Sequence, residues 1–83
     1  MTQLEKKLKE MGYKHIFSSY SIAVCETIKY YIKDTNQYIE TCYGNINDYY
    51  VQTLNVKTQE DIDNIQIAFN NLKRDIEEIK NEL

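Results

Sequence analysis

The stretch Thr58–Leu83, TQEDIDNIQIAFNNLKRDIEEIKNEL, decides how this chain folds. Its apolar residues at Ile62, Ile65, Phe69, Leu72, Ile76, Ile79 and Leu83 are spaced alternately three and four apart. That is the heptad spacing of one helical face. Ile62, Phe69, Ile76 and Leu83 take the a positions; Ile65, Leu72 and Ile79 take the d positions. Thr58 is a suitable N-cap, because its hydroxyl can accept from a free N–H of the first turn. Glu60, Asp61 and Asp63 put negative charge at the positive end of the helix dipole. No Gly or Pro interrupts the segment, so the spacing predicts one helix over residues 58–83.

At ~1.5 Å per residue this helix is about 39 Å long. A typical strand spans only ~17–20 Å, so a small sheet cannot cover the whole face. Ile76, Ile79 and Leu83 therefore need a further partner, and the spacing predicts a homodimer with a seam at Leu72, Ile76, Ile79 and Leu83. Lys73 and Lys80 at e and Asp75 and Glu82 at g favour parallel pairing. The alternative is that the stripe packs on the chain's own sheet and first helix.

The rest of the chain reads as the remainder of one small domain. At 83 residues the core is thin. A hydrophobic fraction of 42 % with 28 % charged residues is that of a globular protein, not of a disordered one. Residues 1–12 form a short helix, with Thr2 and Glu5 placed for a capping box, Leu4, Leu8 and Met11 on one face, and Gly12 just past its end. Residues 13–57 read as an antiparallel meander of three strands, or four if the segment around Ile16 pairs as well. Ile22–Lys33 alternates, with Ile22, Val24, Ile28, Tyr30 and Ile32 on the expected inner side. Asp34–Gln37 is the expected turn, with Asn36 at positive φ and Ile32 opposite Ile39 on the returning strand. Gly44–Asp48 is a second turn and Tyr49–Val56 the last strand. The fold class is α+β: helix, sheet, long helix.

Composition narrows the function classes. The net charge is −3, which speaks against a nucleic-acid or anionic-membrane binder. Charge is unevenly placed: lysines dominate through Lys33, carboxylates from Glu60 onward, so the two ends attract. Cys25 and Cys42 lie far apart with no further Cys or His nearby, so the expectation is free thiols, no metal site and a reducing cytoplasm. The lysine-bearing N-terminus has no apolar core of a signal peptide, and no apolar run approaches a membrane span. There is no phosphate-binding loop, dinucleotide fingerprint, nucleophile elbow or zinc-protease motif, so no enzyme, catalytic residue or cofactor is expected. His15, the one histidine, stands outside any triad or ligand pattern.

Tyrosine is the exception to this plain composition. Tyr30, Tyr31, Tyr38, Tyr43, Tyr49 and Tyr50 crowd into the sheet region. Both faces of so small a sheet cannot be core, and Tyr31, Tyr38 and Tyr49 are the expected accessible rings. Exposed Tyr is a favoured contact residue at protein interfaces. Ile, Lys, Asn and Tyr are abundant, whereas Ala occurs only at Ala23 and Ala68 and Arg only at Arg74, a bias that suits AT-rich codons.

In size, element order and composition the chain resembles the small α-β-β-β-α proteins encoded by phages and prophages of low-GC bacteria. That resemblance implies an inhibitor of host or defence machinery, anti-CRISPR proteins among them. The expectation is thus a non-enzymatic protein-binding module, with self-association through the long helix as the alternative and nucleic-acid binding third.

Overall fold

The computed structural model describes residues 2–83; Met1, which the sequence assigns to the first helical segment, lies outside them. The first helix, α1, spans Gln3–Glu10 and starts where expected, with the Glu5 N–H donating to Thr2 Oγ1 at 3.1 Å. Gly12 follows its end at φ 94°, in the left-handed region that glycine enters without steric cost. Four strands come next: β1 (Lys14–Ser21), β2 (Glu26–Lys33), β3 (Gln37–Cys42) and β4 (Asn45–Val51). They form one antiparallel meander in the order β1-β2-β3-β4. The second helix, α2, spans Gln59–Glu82. Thr58 opens it with a full capping box: Asp61 N–H donates to Thr58 Oγ1, and Asp61 Oδ2 accepts from the Thr58 N–H. The fold is α+β, and the segment around Ile16 is a full strand.

Strand limits and register differ from expectation in three places. Ile22–Cys25 is a turn between β1 and β2, with Cys25 at φ 52°, so Ile22 and Val24 are exposed rather than inward. Tyr43 and Gly44, at φ 54° and 73°, are the two-residue connection of β3 to β4, so the last strand begins four residues earlier than predicted. Most consequential is the β2–β3 loop. It holds three residues, Asp34–Asn36, and its positive-φ residues are Asp34 and Thr35 rather than Asn36. Lys33 therefore pairs with Gln37, Ile32 with Tyr38 and Tyr31 with Ile39. Because side chains alternate with a period of two, this slip of one residue leaves β3 facing as predicted and inverts β2.

Both helices lie on one face of the sheet, where the core joins Leu4 and Leu8 of α1, Tyr13, Tyr31, Ile39, and Leu72, Ile76 and Ile79 of α2. Tyr31 is 6 % exposed, which corrects the expectation that its ring is accessible. The homodimer seam is corrected as well. Leu72, Ile76 and Ile79 are at most 3 % exposed inside a single chain, and only Leu83 is open to solvent. The predicted need for a second chain vanishes because α1 lies beside the C-terminal half of α2, where Lys7 pairs with Glu82. The buried stripe also includes Ala68 and Asp75, both at g positions, while Ile62 and Phe69 at a are exposed. So α2 packs as a helix on a sheet rather than through an a/d seam.

Polar contacts tie the helices to β2. Lys29 Nζ donates to Glu5 Oε1 at 3.2 Å, and Lys33 Nζ donates to Asp75 Oδ2 at 3.0 Å. The Lys29 ammonium holds the Glu5 carboxyl below the ordinary carboxylate range, and the N–H groups of Lys57 and Thr58 do the same to Asp61. A carboxyl whose pKa is lower folded than unfolded stabilises the fold fully above its unfolded value, and that share is lost as pH falls through the folded one. Stability should therefore be flat down to about pH 5 and decline below it. Urea unfolding at stepped pH checks this, with Glu5→Gln and Asp61→Asn together expected to flatten the acid limb.

Candidate docking face

The sheet has a second face that neither helix covers, and the inversion of β2 decides what it carries. Lys29, Tyr31 and Lys33 point to the helices, so Ile28, Tyr30 and Ile32 point away from them. Across β2 the neighbours on this face follow the register. Phe17 of β1 pairs with Tyr30, which pairs with Glu40 of β3, which pairs with Asp48 of β4. One row over, Lys14 pairs with Ile32, Ile32 with Tyr38, and Tyr38 with Tyr50.

These pairs are ordered ring against ring. Phe17 stacks on Tyr30 with centroids 4.2 Å apart and planes 10° from parallel. Tyr38 stacks on Tyr50 at 5.1 Å and 8°. Parallel stacks of this kind across strands are worth about 0.5–1.5 kcal/mol each beyond the area they bury. They also hold the rings in fixed positions, so that little side-chain entropy remains to be lost on contact with another surface. Phe17 remains 52 % exposed and Tyr50 41 %, while Tyr30, Tyr38, Ile28 and Ile32 are half-buried among one another.

The charges on this face are mainly negative. Glu40 and Asp48 sit beside the rings, with Glu40 accepting from Asn47 Nδ2 at 3.3 Å, and Lys14 stands at one corner. Burial among its neighbours, and then the nearby Glu40 carboxylate, push the Tyr50 hydroxyl above the usual tyrosine value. The surface is an apolar, aromatic centre with acid along one side.

The three tyrosines singled out in the sequence are not brought together. Tyr38 lies on this open face, Tyr31 is in the core, and Tyr49 pairs with Ile39 on the helix side, 40 % exposed at the β4 edge. Phe17, Tyr30 and Tyr50 are the members of the face that sequence reading missed. Phe17 follows a β-bulge, where the β1–β2 register shifts between His15 and Phe17, and strict alternation cannot place it. His15 is exposed, with Nε2 2.8 Å from Ser18 Oγ and its ring 5.5 Å from that of Tyr31. Among the described residues no cluster of three or more His, Cys, Asp or Glu side chains could hold a metal ion. Among them, too, no helix is long and apolar enough to cross a membrane.

No family model matches this chain, and no curated protein and no solved structure matches it either.

Proposed function

We propose that this chain is a non-enzymatic protein-binding module that works through the open face of its sheet. The observation that carries the reading is the orientation of β2. The strand turns two lysines toward the helices and two isoleucines and a tyrosine away from them. Fully burying an isoleucine is worth roughly 1.5–3 kcal/mol. The fold leaves part of that gain unrealised at Ile28 and Ile32, and a partner surface would realise it. The partner chemistry follows from Glu40 and Asp48: a protein whose apolar contact patch is edged by lysine or arginine. The same two carboxylates repel phosphate, which disfavours base stacking on the rings. The resemblance to small phage-encoded inhibitors suggests a role, namely covering the working surface of a bacterial protein in the cytoplasm.

The test is affinity capture from a low-GC bacterial lysate with four baits: the native chain, Phe17→Ser/Tyr50→Ser, Glu40→Lys/Asp48→Lys, and Glu77→Ala on the exposed side of α2 as control. A protein retained by the native chain and the control, and lost with both other variants, is the expected result. Aromatic anchors at interface centres typically carry 2 kcal/mol or more, about 30-fold in affinity, so the ring variant should release it. A protein held equally by all four baits would place binding elsewhere. Retained nucleic acid, or ring-dependent self-association of the native chain in sedimentation, would replace the reading. Thermal melting of the ring variant should remain a single transition, because both rings are half exposed.

A further inference from the structure

The sheet has two edges, β1 and β4, and the molecule guards only one of them. Along a strand in an antiparallel sheet, successive residues direct their N–H and C=O groups alternately to one neighbour and to the other. Gln52 N–H donates to the Asn36 carbonyl at 2.8 Å, one step beyond the Gln37–Val51 pair, and that bond fixes the phase of the ladder. Followed through the register, Tyr49 and Val51 of β4, and Ser18 and Tyr20 of β1, direct their backbone groups away from the sheet. On β4 the outward Tyr49 N–H donates to Asp48 Oδ1 at 2.8 Å. On β1, among the described residues, no group accepts from the Ser18 or Tyr20 N–H. Edge strands are ordinarily guarded by charge, proline or a bulge. The one bulge of β1 lies ahead of both residues, between His15 and Phe17. From Ile16 to Cys25 (IFSSYSIAVC) β1 and its turn are the longest uncharged run of the chain, which contains no proline. Every residue of β1 but Ser21 is exposed, so neither helix reaches over the strand. Ile16, Tyr20 and Ile22 are 45 %, 64 % and 84 % exposed, and neither the core nor the docking face uses them.

We propose that β1 pairs antiparallel with β1 of a second copy of this chain, about a two-fold axis through Ser19, so that two sheets join into one. The edge is complementary to itself in this register. Ser18 of each copy exchanges both of its backbone hydrogen bonds with Tyr20 of the other, so the outward donors and acceptors of both residues are all paired. Ser19, small and uncharged, stands opposite itself. Ile16 comes level with Ile22 of the second copy, so these exposed isoleucines meet across the seam. Tyr20 lies over Ser18 of the second copy, on the helix side, where neither helix covers β1. Lys14 falls at opposite ends of the seam in the two copies, which at ~3.3 Å per residue keeps the two ammoniums roughly 30 Å apart. That is far beyond the screening length of about 8 Å. Because Asp48 guards the other edge, the assembly closes at two copies rather than growing. The open aromatic face stays uncovered and runs on across the seam, and the pairing does not depend on the reading given for that face.

The experiment is sedimentation velocity of the full chain from about 10 μM to about 1 mM. A seam of one strand pair is a small interface, so a dimer with a Kd of about 10–100 μM is expected. Ser19→Lys and Ser19→Asp each set like charges opposite one another across the axis, and each should raise the Kd about tenfold or more. Mixed in equal amounts the two variants should dimerise again, because unlike charges then meet. Ser19 is exposed, so both variants should melt as the native chain does. Tyr50→Ser, on the open face at the far edge strand, should leave the dimer unchanged. A native chain that stays monomeric at about 1 mM overturns the proposal. So do an undiminished dimer in either Ser19 variant, a mixture of the two that stays monomeric, and growth beyond a dimer. A dimer lost with Tyr50→Ser also overturns it, by placing self-association on the open face.

Discussion

Replacing Ile76 and Ile79 together with lysine is expected to abolish the folded state. Both are core residues, 3 % and 1 % exposed, on the part of α2 that faces α1 and the sheet. Each substitution forgoes roughly 1.5–3 kcal/mol of apolar burial and adds several kcal/mol for an ammonium without a buried partner. A domain of this length has about 4–12 kcal/mol of total stability at 0.05–0.15 kcal/mol per residue, so the pair exceeds what it can lose. Circular dichroism should show no cooperative thermal transition. Leu83→Lys, at the end of the same heptad pattern but 58 % exposed, should change stability by less than about 0.5 kcal/mol. A folded double variant with a native-like melting temperature would mean that the seam is not packed inside the chain.

Asp75→Ala is the second large effect. Asp75 is 6 % exposed, and three donors converge on its Oδ2: Tyr13 Oη at 2.8 Å, Lys33 Nζ at 3.0 Å and Gln37 Nε2 at 3.3 Å. Gln37 Nε2 also donates to Tyr13 Oη at 3.1 Å. The group fastens α2 to β2, β3 and the start of β1 at once. Among the described residues no buried side-chain nitrogen or oxygen lacks a partner, so removing this acceptor strands donors that are otherwise satisfied. Breaking a buried pair by deleting one member costs ~3–5 kcal/mol, and the lower end applies because the Lys33 head can swing toward water. Tyr13→Phe, which removes one donor and leaves the carboxylate paired with Lys33, should cost about 1–2 kcal/mol. Urea unfolding of both single variants and the double variant measures the coupling. A loss under about 1 kcal/mol for Asp75→Ala would show that the network contributes little. Burial first, and then the Asp75 hydrogen bond, push the Tyr13 phenol well above its usual value. A group raised in this way stabilises the fold fully below its unfolded value, so this contribution is lost as pH climbs past about 10.

These two predictions rest on residues whose roles lay at different depths in the chain. Ile76 and Ile79 announce themselves by spacing, yet spacing alone left open what they pack against. Asp75 gave no local sign at all, because at a heptad g position a carboxylate is ordinarily a solvated flank. Its partners Lys33 and Gln37 stand 42 and 38 residues away. The open aromatic face was legible only as an excess of tyrosine. Tyr38 was placed correctly, while Tyr30 and Tyr31 were exchanged between faces by the turn before β3.

What the amino-acid order determined by itself is what short-range physics controls. The caps at Thr2 and Thr58, the stop at Gly12, the apolar stripe of α2 and the strand character of the β-branched and aromatic run are satisfied within a few residues. They need no knowledge of the rest of the chain. What only the tertiary structure decided is which surfaces meet. The alternation of β2 put its isoleucines inward by hydrophobicity, but Glu5 on α1 and Asp75 on α2 draw Lys29 and Lys33 to the helix side instead. The three-residue loop supplies the register that allows it. A strand's side chains reverse faces with a shift of a single residue, and the ion pairs made in the observed register join groups 24 and 42 positions apart. No local window contains both partners, so the choice that exposes the aromatic face is made only when the helices dock.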